Sequence, residues 1–429
     1  METAIYQAYV RILTRELRPA TGCTEPIAIA YAAAMARNTL GAVPDEIQAH
    51  CSGNIIKNVY GVTVPNSGGG RGVEIAAALG AVAGNADREL EVLARVSPED
   101  LDRARGMVRR GKCSCLLAEN APPLYIRIEA RVGADRCEVE LEGGHTQIRR
   151  ITRNGTVLQE HPASQDPLQA DKALLSLAGI YEFANVLRAE DVCAVLDRQI
   201  ACNTQIASEG LAHPYGACVG RTLMQEYDAK DIRIRATAMA AAGSDARMSG
   251  CPMPVVINSG SGNQGMAVSL PVIAYADELN ATREQTYRAL ALANLIALLQ
   301  KRYIGNLSAF CGAVCAAVGA VCGIAFLHGA DEAILGKVIN NTLCNVGGIV
   351  CDGAKPSCAA KIAAAVNAGL LGWAIAQRSG YAFGAGQGIA SDDAEQTIAN
   401  VGRMGRDGMR QTDTEILHIM LEQKRENCS

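Results

Sequence analysis

At 429 residues the chain is too long for one small core, and length alone suggests two or three domains. A net charge of −4, with lysines and arginines dispersed among acids, excludes a broad basic field for nucleic acid. Sixteen cysteines would imply disulfides in a small secreted chain. Here the first residues, METAIYQAYVRILTREL, carry acids and arginines at helical spacing without an apolar signal core, so a cytoplasmic protein is expected, with thiols that are core residues or metal ligands.

Aromatics are only 4% of the sequence, while Ala, Gly and Cys are abundant, a composition suited to closely packed helices. In chain order, TEPIAIAYAAAMARNTL predicts a helix starting at Thr24-Glu25-Pro26, where Pro26 is tolerated in the first turn. From about residue 46 to 160 the apolar period changes to two. In LYIRIEARV, Leu124, Ile126, Ile128, Ala130 and Val132 share one face; in RCEVELEGG, Cys137, Val139 and Leu141 oppose three glutamates. Asn154-Gly155 signals a hairpin turn between two further short runs. Residues 71 to 112 read as helical, so this region is mixed. ATREQTYRALALANLIALLQKRY and DEAILGKVINNTL return to helical spacing.

The expected fold class is therefore α+β: a mainly helical domain in two parts, residues 1–45 and 166–429, with an inserted α+β domain over 46–165. Residues 310 to 327 (FCGAVCAAVGAVCGIAFL) carry no charge and are long enough to cross a bilayer. Their Ala, Gly, Cys and Val content predicts instead a helix enclosed by other helices, and no membrane partner is expected. A second apolar stretch, residues 363 to 376, is shorter.

The thiols are the chemical lead. On a helix, Cys311, Cys315 and Cys322 fall at i, i+4 and i+11 on one face. Cys315 and Cys322 read as small packing residues. Cys311 follows the polar GNLSAF, near a helix N-terminus where backbone N–H groups and the helix dipole favour a thiolate. Cys351 follows NVGGIV and precedes Asp352-Gly353, and Cys23 stands just ahead of Thr24. Three thiols at three helix starts can converge on one soft metal centre. No C-x-x-C pair supports a zinc ribbon, thioredoxin or ferredoxin site, and the six histidines are scattered without an H-E-x-x-H.

Gly260-Ser261-Gly262-Asn263-Gln264-Gly265 matches the dinucleotide fingerprint and follows the strand-like PVVINS, but Pro271 interrupts the next segment and no βαβ series surrounds it. Its Ser261, Asn263 and Gln264 side chains, with free N–H groups, suit a small carboxylate ligand. Ser67 to Gly72 lacks the Lys-Ser/Thr of a P-loop. In CSGNIIKN, Asn54, Lys57 and Asn58 lie close together, as a polar strand edge or a substrate contact.

TGCTEP (21–26), SGNIIKN (52–58), SGSGNQG (259–265), GNLSAFCGAVCA (305–316) and CDGAKPSCAAK (351–361) together resemble the L-cysteine desulfidase family, a relative of the iron–sulfur L-serine dehydratases through their α-chain domain. The resemblance spans nearly the whole chain. It implies a helical catalytic domain with a mixed insert, and a 4Fe–4S cluster held by Cys23, Cys311 and Cys351 with the fourth iron open to substrate. Cys358 is the reserve ligand, by analogy with a later cysteine in the serine dehydratases. The chemistry implied is β-elimination from L-cysteine to pyruvate, ammonia and sulfide, with the open iron acting on the leaving sulfur. The substrate carboxylate is expected on Asn263, Gln264 and adjoining amides, with Ser261, Asn54, Asn306 and Ser308 as further contacts. Lys57 and Lys355 are the candidates for the α-proton base, since desolvation lowers a lysine pKa.

The same mechanism on L-serine is the nearest alternative. A pyridoxal-phosphate lyase would need a Schiff-base lysine and a phosphate cup, and neither is identifiable. A cluster-free amino-acid-binding or regulatory protein is the alternative outside enzymes. Beyond a small amino-acid substrate, the expected partner is a second copy of the chain in a homo-oligomer.

Overall fold

In the computed structural model, which describes residues 1–162, 168–305 and 307–426, the period-two segments assemble into one sheet and the Ala-rich segments into a helical body. The chain opens with α1 (Thr3–Glu16), β1 (Pro19–Thr21) and α2 (Thr24–Leu40). The mixed region holds β2 (Glu46–Cys51), α3 (Gly53–Tyr60), α4 (Val73–Ala83), α5 (Pro98–Arg109), β3 (Cys113–Leu117), β4 (Tyr125–Val132), β5 (Asp135–Glu142), β6 (Ile148–Arg153) and β7 (Thr156–Glu160). The six strands run in the order β3-β2-β4-β5-β6-β7, antiparallel except for the β2–β3 pair.

The alternation read from sequence is the inner face of this sheet. Ile126, Ile128 and Ala130 of β4 stand opposite Leu141, Val139 and Cys137 of β5, and all six are buried. Asn154 and Gly155, at φ 51° and 80°, make the β6–β7 turn; two successive positive φ values match the strand twist. The sheet's inner face packs on α2 and α4, so α2 shares a core with the mixed region rather than with the helices after residue 168. The α2–α4 approach is close: a Cβ on Gly80 would fall 2.1 Å from the Ala30 carbonyl oxygen.

The second core is helical. Its elements are α6 (Gln169–Ala173), α7 (Leu177–Val186), α8 (Cys193–Ala212), α9 (Val219–Glu226), α10 (Ile232–Met248), β8 (Pro254–Val256), α11 (Gly262–Glu278), α12 (Arg283–Ile304), α13 (Gly312–Leu327), α14 (Glu332–Val346), α15 (Ser357–Ser379), α16 (Ala394–Arg403) and α17 (Arg410–Glu426). The charge-free run forms α13, buried from Ala313 to Ala325 between α11, α12 and α15, as its small-residue composition demands. Pro271 sits inside α11 without ending it. By length and composition α15 is long and apolar enough to cross a membrane; half of its most apolar window is buried in the helical body. Two short strands join the cores: β1 pairs antiparallel with β8, Ala20 opposite Val255. That ladder brings the start of α2 beside the loop leading into α11.

Candidate active site

Two backbone pairings bring distant motifs together. The first is β1–β8. Beyond β1, Gly22 turns at φ 70°, with Pro65 against the place a side chain would need, and Cys23 is the residue preceding α2. Beyond β8, Asn258 and Ser261 bridge a tight turn in which Ser259 and Gly260 both have positive φ, and Ser261 caps α11. Thr24 Oγ1 donates to the Gly260 carbonyl at 2.8 Å, locking the two turns together.

The second pairing joins the loops before α13 and α15. Cys311 N–H donates to the Ile349 carbonyl at 3.0 Å, and Cys351 N–H donates to the Ala309 carbonyl at 2.6 Å. Cys311 and Cys351 therefore lie side by side. Cys311 precedes α13 as expected, but Cys351 lies in the loop itself. The thiol at the start of α15 is Cys358.

All four thiols, Cys23, Cys311, Cys351 and Cys358, line one cavity of about 130 Å³ together with Ser261, Asn263, Gln264 and Ser308. The charged and titratable part of the remaining wall comes from Glu25, Arg247 of α10, Lys301 of α12 and His145, and Asn58 lines it too. His145 sits in the turn after β5, so the sheet contributes a side chain to the cavity.

The other residues expected from sequence fall around this centre. Asn54 lines an adjoining cleft of about 980 Å³ that shares Leu124, Gly143, Leu307 and Ser308 with the cavity. Ser308 Oγ donates to the Gly405 carbonyl and accepts from Phe310 N–H. Asn306 lies outside the described residues. Lys57 and Lys355 do not line the cavity. Lys57 is buried and ion-paired with Asp413 of α17, and it also donates to the Cys351 carbonyl at 3.2 Å. Lys355 is ion-paired with Asp352 at 2.5 Å.

Glu25, His145, Arg247 and Lys301 were not singled out in the sequence. Glu25 accepts from Cys23 Sγ at 2.9 Å and from Asn58 Nδ2 at 2.9 Å. Burial pushes its pKa up, but His145, the Cys23 thiol and Arg247 outweigh burial and hold it below the usual carboxylate range. Burial lowers the His145 pKa, with Arg18 and Arg247 adding to the effect against Glu25, a direction that favours the neutral imidazole. Its Nε2 has no hydrogen-bond partner. Burial also lowers the Lys301 pKa, opposed by the nearby Cys315, Cys351 and Cys311. The signals for these residues were faint. His145 follows two glycines at a strand end, and Arg247 is a lone cation late in the Ala-rich ATAMAAAGSDARM.

The thiols repel one another's charge. Burial, then Cys351, with Cys358 further down, pushes Cys311 up to about 12. Burial likewise raises Cys358, with Cys351 adding to it, and Cys23, with Glu25 adding to it. Among the described residues no three His, Cys, Asp or Glu groups stand close enough to share a single metal ion. A set of thiols from separate segments around one enclosed space suits a larger, multinuclear guest. The all-sulfur donor set is the one iron–sulfur clusters take. Positive charge for bound thiolates is at hand in Lys301 and Lys361, each of which acts on at least one of the cysteines. The residues present fit such a cluster.

A family model described as the serine dehydratase alpha chain matches residues 87–418. The chain belongs to that family. The matched span contains His145, Arg247, the SGSGNQG loop, Cys311, Cys351 and Cys358, and begins after Cys23 and Glu25. Full-length relatives carry the similarity through the N-terminal part as well. A UPF0597 protein of Lachnoclostridium phytofermentans is 48% identical over 97% of this chain and 100% of its own. A UPF0597 protein of Desulfitobacterium hafniense is 49% identical over 97% of each chain, and one of Finegoldia magna 45% identical over 96% of this chain and 99% of its own. Membership in the serine dehydratase alpha-chain family supports a lyase-type enzyme of amino-acid catabolism.

Proposed function

We propose that this protein is an iron–sulfur β-eliminating lyase that converts L-cysteine to pyruvate, ammonia and sulfide. The observation that carries the reading is the meeting of four thiols from three separate segments on one cavity wall, facing the SGSGNQG loop. A 4Fe–4S cluster held by Cys23, Cys311 and Cys351, with Cys358 in reserve, supplies a Lewis acid at the leaving sulfur when bound.

The chain's own residues supply the rest. Asn263, Gln264 and the first amides of α11 receive the polar end of the amino acid. Gln264 Oε1 is buried without a partner, an acceptor suited to the substrate ammonium. We assign the α-proton to Nε2 of His145, which is unpartnered, on the cavity wall and pushed toward its neutral form by burial. The sequence-based base candidates, Lys57 and Lys355, have their ammonium groups on Asp413 and Asp352. Loss of the α-proton and of sulfide leaves aminoacrylate, which takes up one water and separates into pyruvate and ammonia. The same steps on L-serine release water instead of sulfide; the family match favours this as the second reading. We also assign the enzyme to a reducing cytosol, where so many thiols stay free.

The test is purification without oxygen, analysis of iron and acid-labile sulfide, and assay of sulfide and pyruvate from L-cysteine beside L-serine. Sulfide and pyruvate in equal amounts from L-cysteine are expected. Iron-free protein with full activity would sink the cluster, and turnover of L-serine alone would overturn the substrate.

A further inference from the structure

We infer that Arg247 is the binding group for the substrate's α-carboxylate, which makes the site selective for a free amino acid. This rests on the lyase reading above and deepens it by naming what fixes the substrate. Arg247 is 1% exposed, near the C-terminal end of α10. Its Nε donates to the Gly22 carbonyl at 3.0 Å, and its Nη1 donates to Asn263 Oδ1 at 3.1 Å. Those bonds fix the guanidinium plane between the turn before Cys23 and the loop before α11.

Its Nη2 is buried with no partner. Among the described residues the hydrogen bonds of Arg247 go to neutral oxygens and none to a carboxylate; the charge of Glu25 acts on it without contact. A buried guanidinium with a spare donor is costly unless an anion completes it. The residue lines the same cavity as Asn263 and Gln264. The loop glycines keep it narrow: a Cβ on Gly262 would sit 2.4 Å from Arg247 Nε, and one on Gly312 would sit 2.4 Å from the Gln264 amide carbon. A planar fork held in this way recognises a carboxylate, and an uncharged amide in its place would leave a buried donor unpaired.

The test uses anaerobically prepared holoenzyme and two probes without a leaving group, L-alanine and L-alaninamide, whose dissociation constants are measured by calorimetry. Wild type should bind L-alanine more tightly than L-alaninamide by about 10-fold or more. Arg247→Gln should lose about 10-fold or more of L-alanine affinity, with L-alaninamide and iron content unchanged, and Arg247→Lys should recover part of it. If Arg247→Gln does not fold, Arg247→Lys and the two probes on wild type still decide. Equal affinity of wild type for the two probes overturns the assignment. So does L-alanine affinity retained in Arg247→Gln, or lost only in step with iron, which would make Arg247 a counter-charge for thiolates. The lyase reading fails separately, when wild type releases no pyruvate from either amino acid. Carboxylate selectivity that depends on Arg247 would then survive in a protein of another function.

Discussion

The His145 ring lies against Gly260 in the SGSGNQG loop: a Cβ added to Gly260, at φ 73°, would sit 3.1 Å from His145 Cε1. A side chain from the inserted sheet thus meets a backbone turn of the helical part at the cavity. Two variants probe this contact. His145→Gln keeps the size but cannot take a proton, and should lower kcat by about 100-fold or more with little change in L-alanine binding. Gly260→Ala strains the backbone and displaces the ring, so it should impair kcat and KM together. Steady-state kinetics on L-cysteine separates the two patterns. A His145→Gln enzyme with unchanged kcat removes the imidazole from the mechanism.

The pH profile carries an independent signature. Burial, Arg18 and Arg247 lower the His145 pKa and Glu25 raises it, with a net direction below 6.5. A base works in its neutral form, so kcat/KM should stay level as pH falls to 6.5 and decline only below it. Folding stability moves in the same direction. A histidine depressed in the folded state binds more protons when unfolded, so its contribution is full above pH 6.5 and is lost as pH falls from 6.5 through the folded pKa. His145→Gln should remove the acid limb in kcat/KM and flatten the melting temperature over that interval.

Much of the fold was legible because its signals are local. The period of two in LYIRIEARV and RCEVELEGG became β4 and β5 with the expected buried face. Asn154-Gly155 became the β6–β7 turn, and the run starting at Thr24 became a helix over the span read from sequence. Cys23, Cys311, Cys351 and Cys358, singled out by their motifs, line one cavity. What failed to show was set by long-range packing. Cys351 owes its place to a loop-to-loop pairing with Ala309, which no period records. Lys57 looked like part of a polar motif, yet its ammonium turns to Asp413, more than three hundred residues away. His145 and Arg247 carried no motif, because a lone histidine in a turn and a lone arginine in an alanine helix acquire meaning only once the two cores meet.

The ligand set separates by thiol removal. Cys311→Ser and Cys351→Ser should each abolish cluster absorbance and activity, since hydroxyls are poor ligands for iron–sulfur clusters. Cys23→Ser should do the same, whereas Cys358→Ser should retain iron. The contrary result has a structural basis: Cys351 and, less strongly, Cys358 act on Cys311, while Cys23 donates to Glu25. Cluster loss in Cys358→Ser with iron kept in Cys23→Ser would exchange the two.

Loop glycines predict a stability effect apart from chemistry. A Cβ on Gly265 would lie 2.0 Å from the Val256 carbonyl oxygen, backbone that cannot rotate away. Gly265→Ala should therefore separate α11 from β8 and destabilise the fold by about 1–3 kcal/mol in urea unfolding. At Gly312 the obstacle is the Gln264 side chain, which can shift. Gly312→Ala should keep more stability and show its effect in KM for L-cysteine.

Lys57 offers the last separation, between a base and a tether. Its ammonium bridges Asp413 of α17 and the Cys351 carbonyl, behind the thiol rather than in the cavity. Asp413→Ala leaves a buried cation without its partner and should destabilise by about 3–5 kcal/mol, less to the extent that solvent reaches the partly exposed Asp413 position. Combining Lys57→Met with Asp413→Ala removes the uncompensated charge and should recover much of that loss. A tether also predicts faster release of iron in Lys57→Met, because the loop presenting Cys351 loses a hydrogen bond. A base predicts the reverse pattern: full iron content, ordinary melting and no turnover. Iron retention and kcat measured on the same preparation of Lys57→Met assign the residue to one role or the other.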